Sequence, residues 1–233
     1  MTIRLYDLTL PGDRRMSPFC WRIKFALAHK GLDFDAVPVG FTDIPKLHDG
    51  EFKTVPILET GDIVMNESWA IAEYLDRTYT DRPAIFSSAA ERATIRFFDA
   101  WYGLEIMNRL FMIYVRDIHD AAREEDKAYF RASREKRLGG QTLESFTAER
   151  TSKLPEVRHA LRPLRATLAN QPFVGGETPN YADFIALGGF LWVRAVATLP
   201  LFEKDDPIYA YVERGLDLFD GLARRNPGNA LAA

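Results

Sequence analysis

At Arg14-Arg15-Met16-Ser17-Pro18-Phe19-Cys20-Trp21-Arg22 an extended segment gives way to a helix. A serine at the cap accepts a hydrogen bond from one of the orphan backbone N–H groups, and a proline at the first helical position gives up an N–H that has no intrahelical acceptor anyway. Helical spacing follows at once: Phe19, Ile23, Ala26, Leu27 and Lys30 fall at i, i+4, i+7, i+8 and i+11, and Gly31 stands where a helix commonly stops. Alone, Ser17-Pro18 specifies a capped helix and nothing more. A chemical role has to be supported by residues elsewhere in the chain.

Outward from this point the N-terminal third alternates strand and helix. Residues 3–8 read as a strand before the helix and residues 33–39 as a strand after it, an order that predicts a parallel pair. Residues 40–54 carry Gly, Asp and Pro without a clean period and read as a loop with room for a helical turn. Val55-Pro56-Ile57-Leu58-Glu59 and Ile63-Val64-Met65-Asn66 flank Thr60-Gly61-Asp62, a hairpin with turn chemistry at its tip, and Ser68 opens a second helix. The order βαβ-ββα makes a small α/β domain over 1–80, a linker is expected over 81–87, and 88–233 reads as all-helical. The expected helices there are one long helix from Ala89 to about His119, then 126–138, 141–152, 155–170, an almost wholly apolar helix over 184–196 opened by Asn180-Tyr181-Ala182-Asp183, and 207–224.

Composition excludes several function classes. The formal net charge of −3 gives no support for nucleic acid or an anionic membrane as partner, and the basic stretch 131–137 reads as a solvated helix face. No apolar run approaches the roughly 20 residues of a membrane span, and Met1-Thr2-Ile3-Arg4 lacks the apolar core of a secretion signal, so a cytoplasmic location is expected. Cys20 is the single cysteine, and His29, His48, His119 and His159 have no ligand spacing, so neither a disulfide nor a metal site is expected. Leu187-Gly188-Gly189-Phe190 lies inside an apolar run and is not a dinucleotide fingerprint.

Three features now stand in order: Ser17-Pro18-x-Cys20 at a helix start, Val55-Pro56 opening a strand, and Glu67-Ser68 opening a helix. Together they resemble the glutathione transferases, and the Asn180-x-x-Asp183 start resembles that family's buried folding element. Residues 21–31, 138–144 and 215–222 further resemble the bacterial β-etherase branch, whose members use glutathione to cleave lignin-derived β-aryl ethers. The resemblance implies a thioredoxin-like first domain, an all-helical second domain, a cis bond between Val55 and Pro56, glutathione as co-substrate and a homodimer.

It also assigns roles. Glutathione's thiol has an unperturbed pKa of about 8.5, and lowering it by about two units requires roughly 2.7 kcal/mol of preference for the thiolate. A helix N-terminus supplies up to about 2 kcal/mol and a hydrogen bond to a charged group about 1.5–3 kcal/mol. Ser17 is the expected catalytic donor, while Cys20, at the second position of a would-be C-x-x-C, reads as an inert packed thiol. Val55 and Pro56 would present the backbone edge to the cysteinyl part of glutathione, and Glu67 and Ser68 would divide the ammonium and carboxylate of its γ-glutamyl end. Lys53 is placed near the glycyl carboxylate or simply at the surface. Trp101, Tyr102, Met107, Met112, Tyr114 and Trp192 form the stock from which a wall for an aromatic electrophile would be drawn. The competing functions are a ligand-binding protein that keeps the glutathione site without turnover, and a glutathione-dependent isomerase of the zeta type, which the helix start with Trp21-Arg22 also resembles.

Overall fold

A computed structural model describes residues 2–233, with Met1 outside them. Its first unit follows the expected order: β1 (Ile3–Leu10), a two-residue β2 (Arg14–Arg15), α1 (Pro18–His29), β3 (Phe34–Val39), a 3₁₀ turn at Ile44–Gly50, β4 (Ile57–Thr60), β5 (Ile63–Asn66) and α2 (Ser68–Thr78). Strand β1 runs parallel to β3 with Ile3 opposite Phe34, and antiparallel to β4 with Ile3 opposite Thr60. The β4–β5 hairpin closes through Gly61-Asp62, where Gly61 takes the φ of +57° that a tight hairpin turn requires. The sequence did not announce β2, which doubles back through Gly12 and Asp13 to pair with the end of β1 and carries the chain directly into Ser17.

The second unit is helical: α3 (Ala89–Trp101), α4 (Asn108–Ala121), α5 (Glu124–Arg137), α6 (Leu143–Phe146), α7 (Leu154–Ala160), α8 (Arg162–Leu168), α9 (Tyr181–Val196) and α10 (Pro207–Gly221). Helices α3 and α4 are the expected long helix, interrupted by a π turn at Tyr102–Met107. Such a turn inserts one extra residue, and π turns recur at functional sites.

Three helix extents are corrected. Only Leu143–Phe146 of the expected 141–152 helix forms, because the Thr147 hydroxyl donates to the Leu143 carbonyl (2.8 Å) and the hydroxyl-rich stretch after it continues as turns. The expected 155–170 helix breaks at Leu161, where Pro163 has no N–H for the carbonyl four residues back. The last helix loses its period after Asp217: Phe219 and Asp220 take positive φ, and the Phe219 ring folds back against Phe25 and Phe184.

Helix α9 is the centre of the molecule, with every residue buried except Arg194. It packs on α1 at Gly188, where a Cβ would lie 2.5 Å from the Pro18 carbonyl oxygen, so the absence of a side chain lets the start of α1 rest on α9. A buried Lys24–Asp7 pair (2.7 Å) joins α1 to β1, and Lys30, also buried, reaches Asp76 of α2 (2.9 Å). The expected inward face of α1 therefore holds except at Phe19, which is 43% exposed.

A second clamp ties the loop after β3 to α5. Asp126 accepts from the Thr42 N–H and hydroxyl (both 2.8 Å) and from Arg123 (2.7 Å), and Arg123 also donates to Asp43 (2.7 Å). Burial alone would push the Asp126 carboxyl up, but the Arg123 guanidinium and the two Thr42 donors outweigh it and hold the group below the usual range. A carboxyl with a lowered folded-state pKa contributes stability that is present above its unfolded value and lost as pH falls through the folded one. Asp126→Asn is expected to lower unfolding free energy by about 2–3 kcal/mol at neutral pH. The gap to wild type should shrink on acidification below about pH 4, the unfolded carboxyl value, as denaturant melts across that range would record. A gap independent of pH would contradict the assigned charge.

Candidate active site

The residues singled out from the sequence border one cleft of about 620 Å³ between the two units, among them Ser17, Val55, Pro56, Glu67, Ser68 and Lys53. Ser17 caps α1: its backbone is extended, Pro18 occupies the first turn, and its Oγ accepts from the Cys20 N–H at 3.2 Å. An oxygen that accepts at the cap still has its own proton to donate. The side chain is buried at the floor of the cleft, so a thiolate there would meet a poorly solvated O–H donor and the positive end of α1.

Cys20 lies one turn deeper and fully buried, its thiol 3.6 Å from the Tyr6 carbonyl. Burial pushes the thiol well above its usual range, and the nearby Asp7 charge pushes the same way. A thiol so protonated and so enclosed is no nucleophile.

The peptide bond between Val55 and Pro56 is cis. Asn66, a residue that sequence reasoning passed over, fixes this corner by donating from Nδ2 to the Thr54 and Pro56 carbonyls, both at 2.8 Å. The turn-rich approach and the polar residue at the end of β5 were the available signal. Next to it Glu67 adopts φ +75°, ψ 112°, where an L side chain is strained, and Ser68 opens α2 with its carbonyl accepting from Tyr181 Oη of α9 (3.1 Å). Strain of order 1–3 kcal/mol held in place by its surroundings is a mark of functional positions.

Glu67→Gly is accordingly expected to raise stability by about 1 kcal/mol, since glycine adopts positive φ freely. If Glu67 meets the γ-glutamyl ammonium of glutathione, as the resemblance implies, the same variant should also bind glutathione roughly tenfold or more weakly through loss of the carboxylate. A melt and a calorimetric titration on the same variant give both readouts, and a fall in stability would contradict the strain assignment.

The opposite wall departs from expectation. Met107 and Trp192 border the cleft as expected, but Tyr102 and Tyr114 are core residues whose hydroxyls donate to the Ala186 (3.0 Å) and Leu199 (2.9 Å) carbonyls. Trp101 packs on Phe98 and Tyr102, and neither it nor Met112 reaches the cleft. The apolar lining comes instead from Phe41, Phe111 and Phe130, joined by Tyr129 and by Gly103 of the π turn.

The basic stretch of α5 is corrected in part. Arg131 is paired with Glu135 and Glu144 (both 2.9 Å) and Arg137, at the cleft's edge, is exposed as expected, whereas Arg134 is half-buried in the cleft lining. The spacing of Phe130, Arg134 and Arg137, at i, i+4 and i+7, was the sequence signal that they share a face. Buried Arg22, beside Trp21, also lines the cleft; it pairs with Asp99 of α3 (2.8 Å) and its guanidinium lies 4.7 Å from the Phe19 ring centroid. No cluster of potential metal ligands occurs among the described residues, and no helix is long and apolar enough to cross a membrane.

Comparison with known proteins converges on one family. Residues 16–78 match the glutathione S-transferase N-terminal domain, and residues 93–200 match its C-terminal domain. Glutathione S-transferase Z1 of Arabidopsis thaliana is 40% identical over 78 residues, 31% of this chain, and that match spans about a third (35%) of the relative's length. A probable glutathione S-transferase of Glycine max is 24% identical over 209 residues, 86% of this chain and 80% of that protein. Among solved structures, a glutathione S-transferase of Ceriporiopsis subvermispora in complex with glutathione superposes with a TM-score of 0.76 at 22% identity, covering 97% of this chain and 95% of that one.

Proposed function

From the premise that this chain belongs to the glutathione S-transferase superfamily, whose co-substrate is glutathione, we propose that it is a serine-type transferase that ionises the glutathione thiol for attack on an aromatic electrophile. The observation that carries this reading is that Ser17, the cis Val55-Pro56 edge and Glu67-Ser68 border the same cleft, with the Ser17 proton uncommitted. In this reading 1–80 is the glutathione-binding domain, 81–87 the linker and 88–233 the wall of the electrophile site. Ser17 donates to the sulfur, and Val55 pairs its backbone with the cysteinyl unit at the corner Pro56 forms. Glu67 attracts the γ-glutamyl ammonium, the start of α2 at Ser68 takes the adjoining carboxylate, and Lys53 reaches the glycyl end. The protein acts as a cytoplasmic homodimer.

The finer reading is β-aryl ether cleavage. The thiolate attacks in line at the carbon bearing the phenoxide, the C–S bond forms as the C–O bond breaks, and the departing phenoxide takes a proton from water. The aromatic lining supports a flat apolar substrate. A second reading, the zeta-type isomerase, draws on the 40% identity of the short stretch shared with the Arabidopsis relative. Product analysis with an aryl ether, a chloronitroarene and a maleyl compound, each with and without glutathione, separates the readings. A phenol with a matching thioether is the expected result for the ether. Isomer without a thioether identifies the isomerase, and uptake of glutathione with no product from any of the three identifies a ligand binder.

A further inference from the structure

The electrophile end of the cleft carries two cations with no anion to meet them. Arg134 donates only to the adjacent Ser133 hydroxyl (3.1 Å), and neither it nor Arg137 forms an ion pair among the described residues. The two sit one turn apart, and Arg134, largely desolvated and next to Arg137, is held below the ordinary guanidinium range. The carboxylates bordering the cleft are Glu67, at the start of α2, and Asp99, already paired with Arg22. A chain with net charge −3 has carboxylates to spare, and the other cleft arginines, Arg22 and Arg96, both reach Asp99 (2.8 and 3.6 Å).

The surroundings of these two cations are aromatic, with Arg134 half-buried and Arg137 exposed at the rim. Arg134 stacks 4.6 Å from the Phe130 ring centroid and 5.9 Å from that of Phe41, the two rings lie 4.9 Å apart, and Arg137 stands 5.4 Å from the Phe111 centroid. Stacking engages the guanidinium faces and leaves the N–H edges, the geometry that suits planar bidentate recognition of a carboxylate. The Thr42–Asp126–Arg123 clamp holds the Phe41 loop against α5, so the shelf exists before any ligand arrives.

We propose that Arg134 and Arg137 bind a carboxylate carried by the electrophile, so that the preferred second substrate is an aromatic carboxylate with its reactive carbon toward Ser17. This rests on the transferase reading and names its substrate class. In the reaction used to test it the glutathione sulfur bonds to the aryl carbon, the C–Cl bond breaks with both electrons leaving on chloride, and the thiol proton passes to solvent.

The test compares chlorodinitrobenzene with chlorodinitrobenzoate, the same arene without and with the anion, each rate divided by its uncatalysed rate with glutathione. Wild type is expected to favour the benzoate about tenfold or more in kcat/KM, and Arg134→Gln or Arg137→Gln to cut that preference about tenfold through KM for the benzoate. Arg134→Lys should recover part of it, which guards against reading a folding defect as a binding one. An unchanged ratio overturns the proposal. So does a rise in KM for glutathione that is equal with both arenes, which would assign the arginines to glutathione's own glycyl carboxylate. Where neither arene is conjugated, the transferase reading fails separately, and calorimetry with dinitrobenzoate decides: binding that both glutamine variants lose supports the carboxylate site, and binding they leave intact overturns it.

Discussion

Asp183→Ala is expected to destabilise the protein by about 3–5 kcal/mol, a large part of the 5–15 kcal/mol that typically holds a domain folded. The carboxylate completes the capping box of α9, with the Asn180 side chain on the helix amides and Asp183 accepting in return from the Asn180 N–H at 3.0 Å. It does more than cap. Oδ1 also accepts from the Val174 N–H (2.7 Å) and Tyr211 Oη (3.0 Å), and Oδ2 from the Gly175 N–H (2.9 Å), so removal orphans several buried donors at once. Asparagine is no substitute, since its amide would set an N–H group against the donors that now converge on one oxygen. Because α9 carries the core of the helical unit and supports Pro18, the loss should spread to the cleft. Burial pushes the Asp183 carboxyl up despite these donors. A raised folded-state pKa gives a contribution that is fully present below the unfolded value and declines as pH rises through the folded one, the reverse of Asp126. Denaturant melts of the alanine variant provide the check, and a loss under about 1 kcal/mol would show the network to be dispensable.

Ser17→Ala is expected to lower kcat/KM by about ten- to a hundredfold near pH 6.5. The deleted interaction is an O–H donor to an anion, worth about 1.5–3 kcal/mol, which corresponds to about one to two pKa units on the bound thiol. The deficit should close above about pH 9, where free glutathione is itself ionised. Ser17 also caps α1, so alanine is expected to cost about 1 kcal/mol of stability as well. Ser17→Gly separates the two roles, since glycine at a cap costs only a few tenths of a kcal/mol yet offers no hydroxyl. Equal turnover loss in both variants, with stability lost mainly in alanine, is the expected pattern across a pH–rate series and parallel melts.

The architecture was legible because local signals agreed with the global pattern. Ser17-Pro18, the turn at Gly61-Asp62 and Asn180-x-x-Asp183 each have a mechanism that acts within a few residues, and each is found where the sequence places it. What the sequence withheld depended on distant partners. The break at Leu161 was readable from Pro163, but the strand pairing of Arg14-Arg15 and the turn-back at Phe219 are set by β1 and by Phe25 and Phe184. At the cleft, the side formed by Ser17, Val55, Pro56, Glu67 and Ser68 follows from motifs along one stretch of chain, while the facing side is assembled from a loop and three helices. Tyr102 and Phe111 are indistinguishable as aromatic residues of one long helical run, and only packing against α9 decides that the first is core and the second is lining. Arg134 looked solvated because charge runs usually are; its half-burial follows from packing against Phe130 and, across the cleft, Phe41, a partner distant in sequence, while Arg137 is exposed as such a run predicts.

The central claim is that this cleft takes up reduced glutathione and keeps its sulfur ionised against the Ser17 hydroxyl. Ultraviolet thiolate absorbance of the glutathione complex, titrated from acid to alkali in wild type and in Ser17→Gly, measures that directly. A bound-thiol pKa about two units below the free value of about 8.5 in wild type, returning most of the way in the variant, is the expected result. A wild-type complex titrating at the free value, or a depressed pKa that survives loss of the hydroxyl, would contradict it.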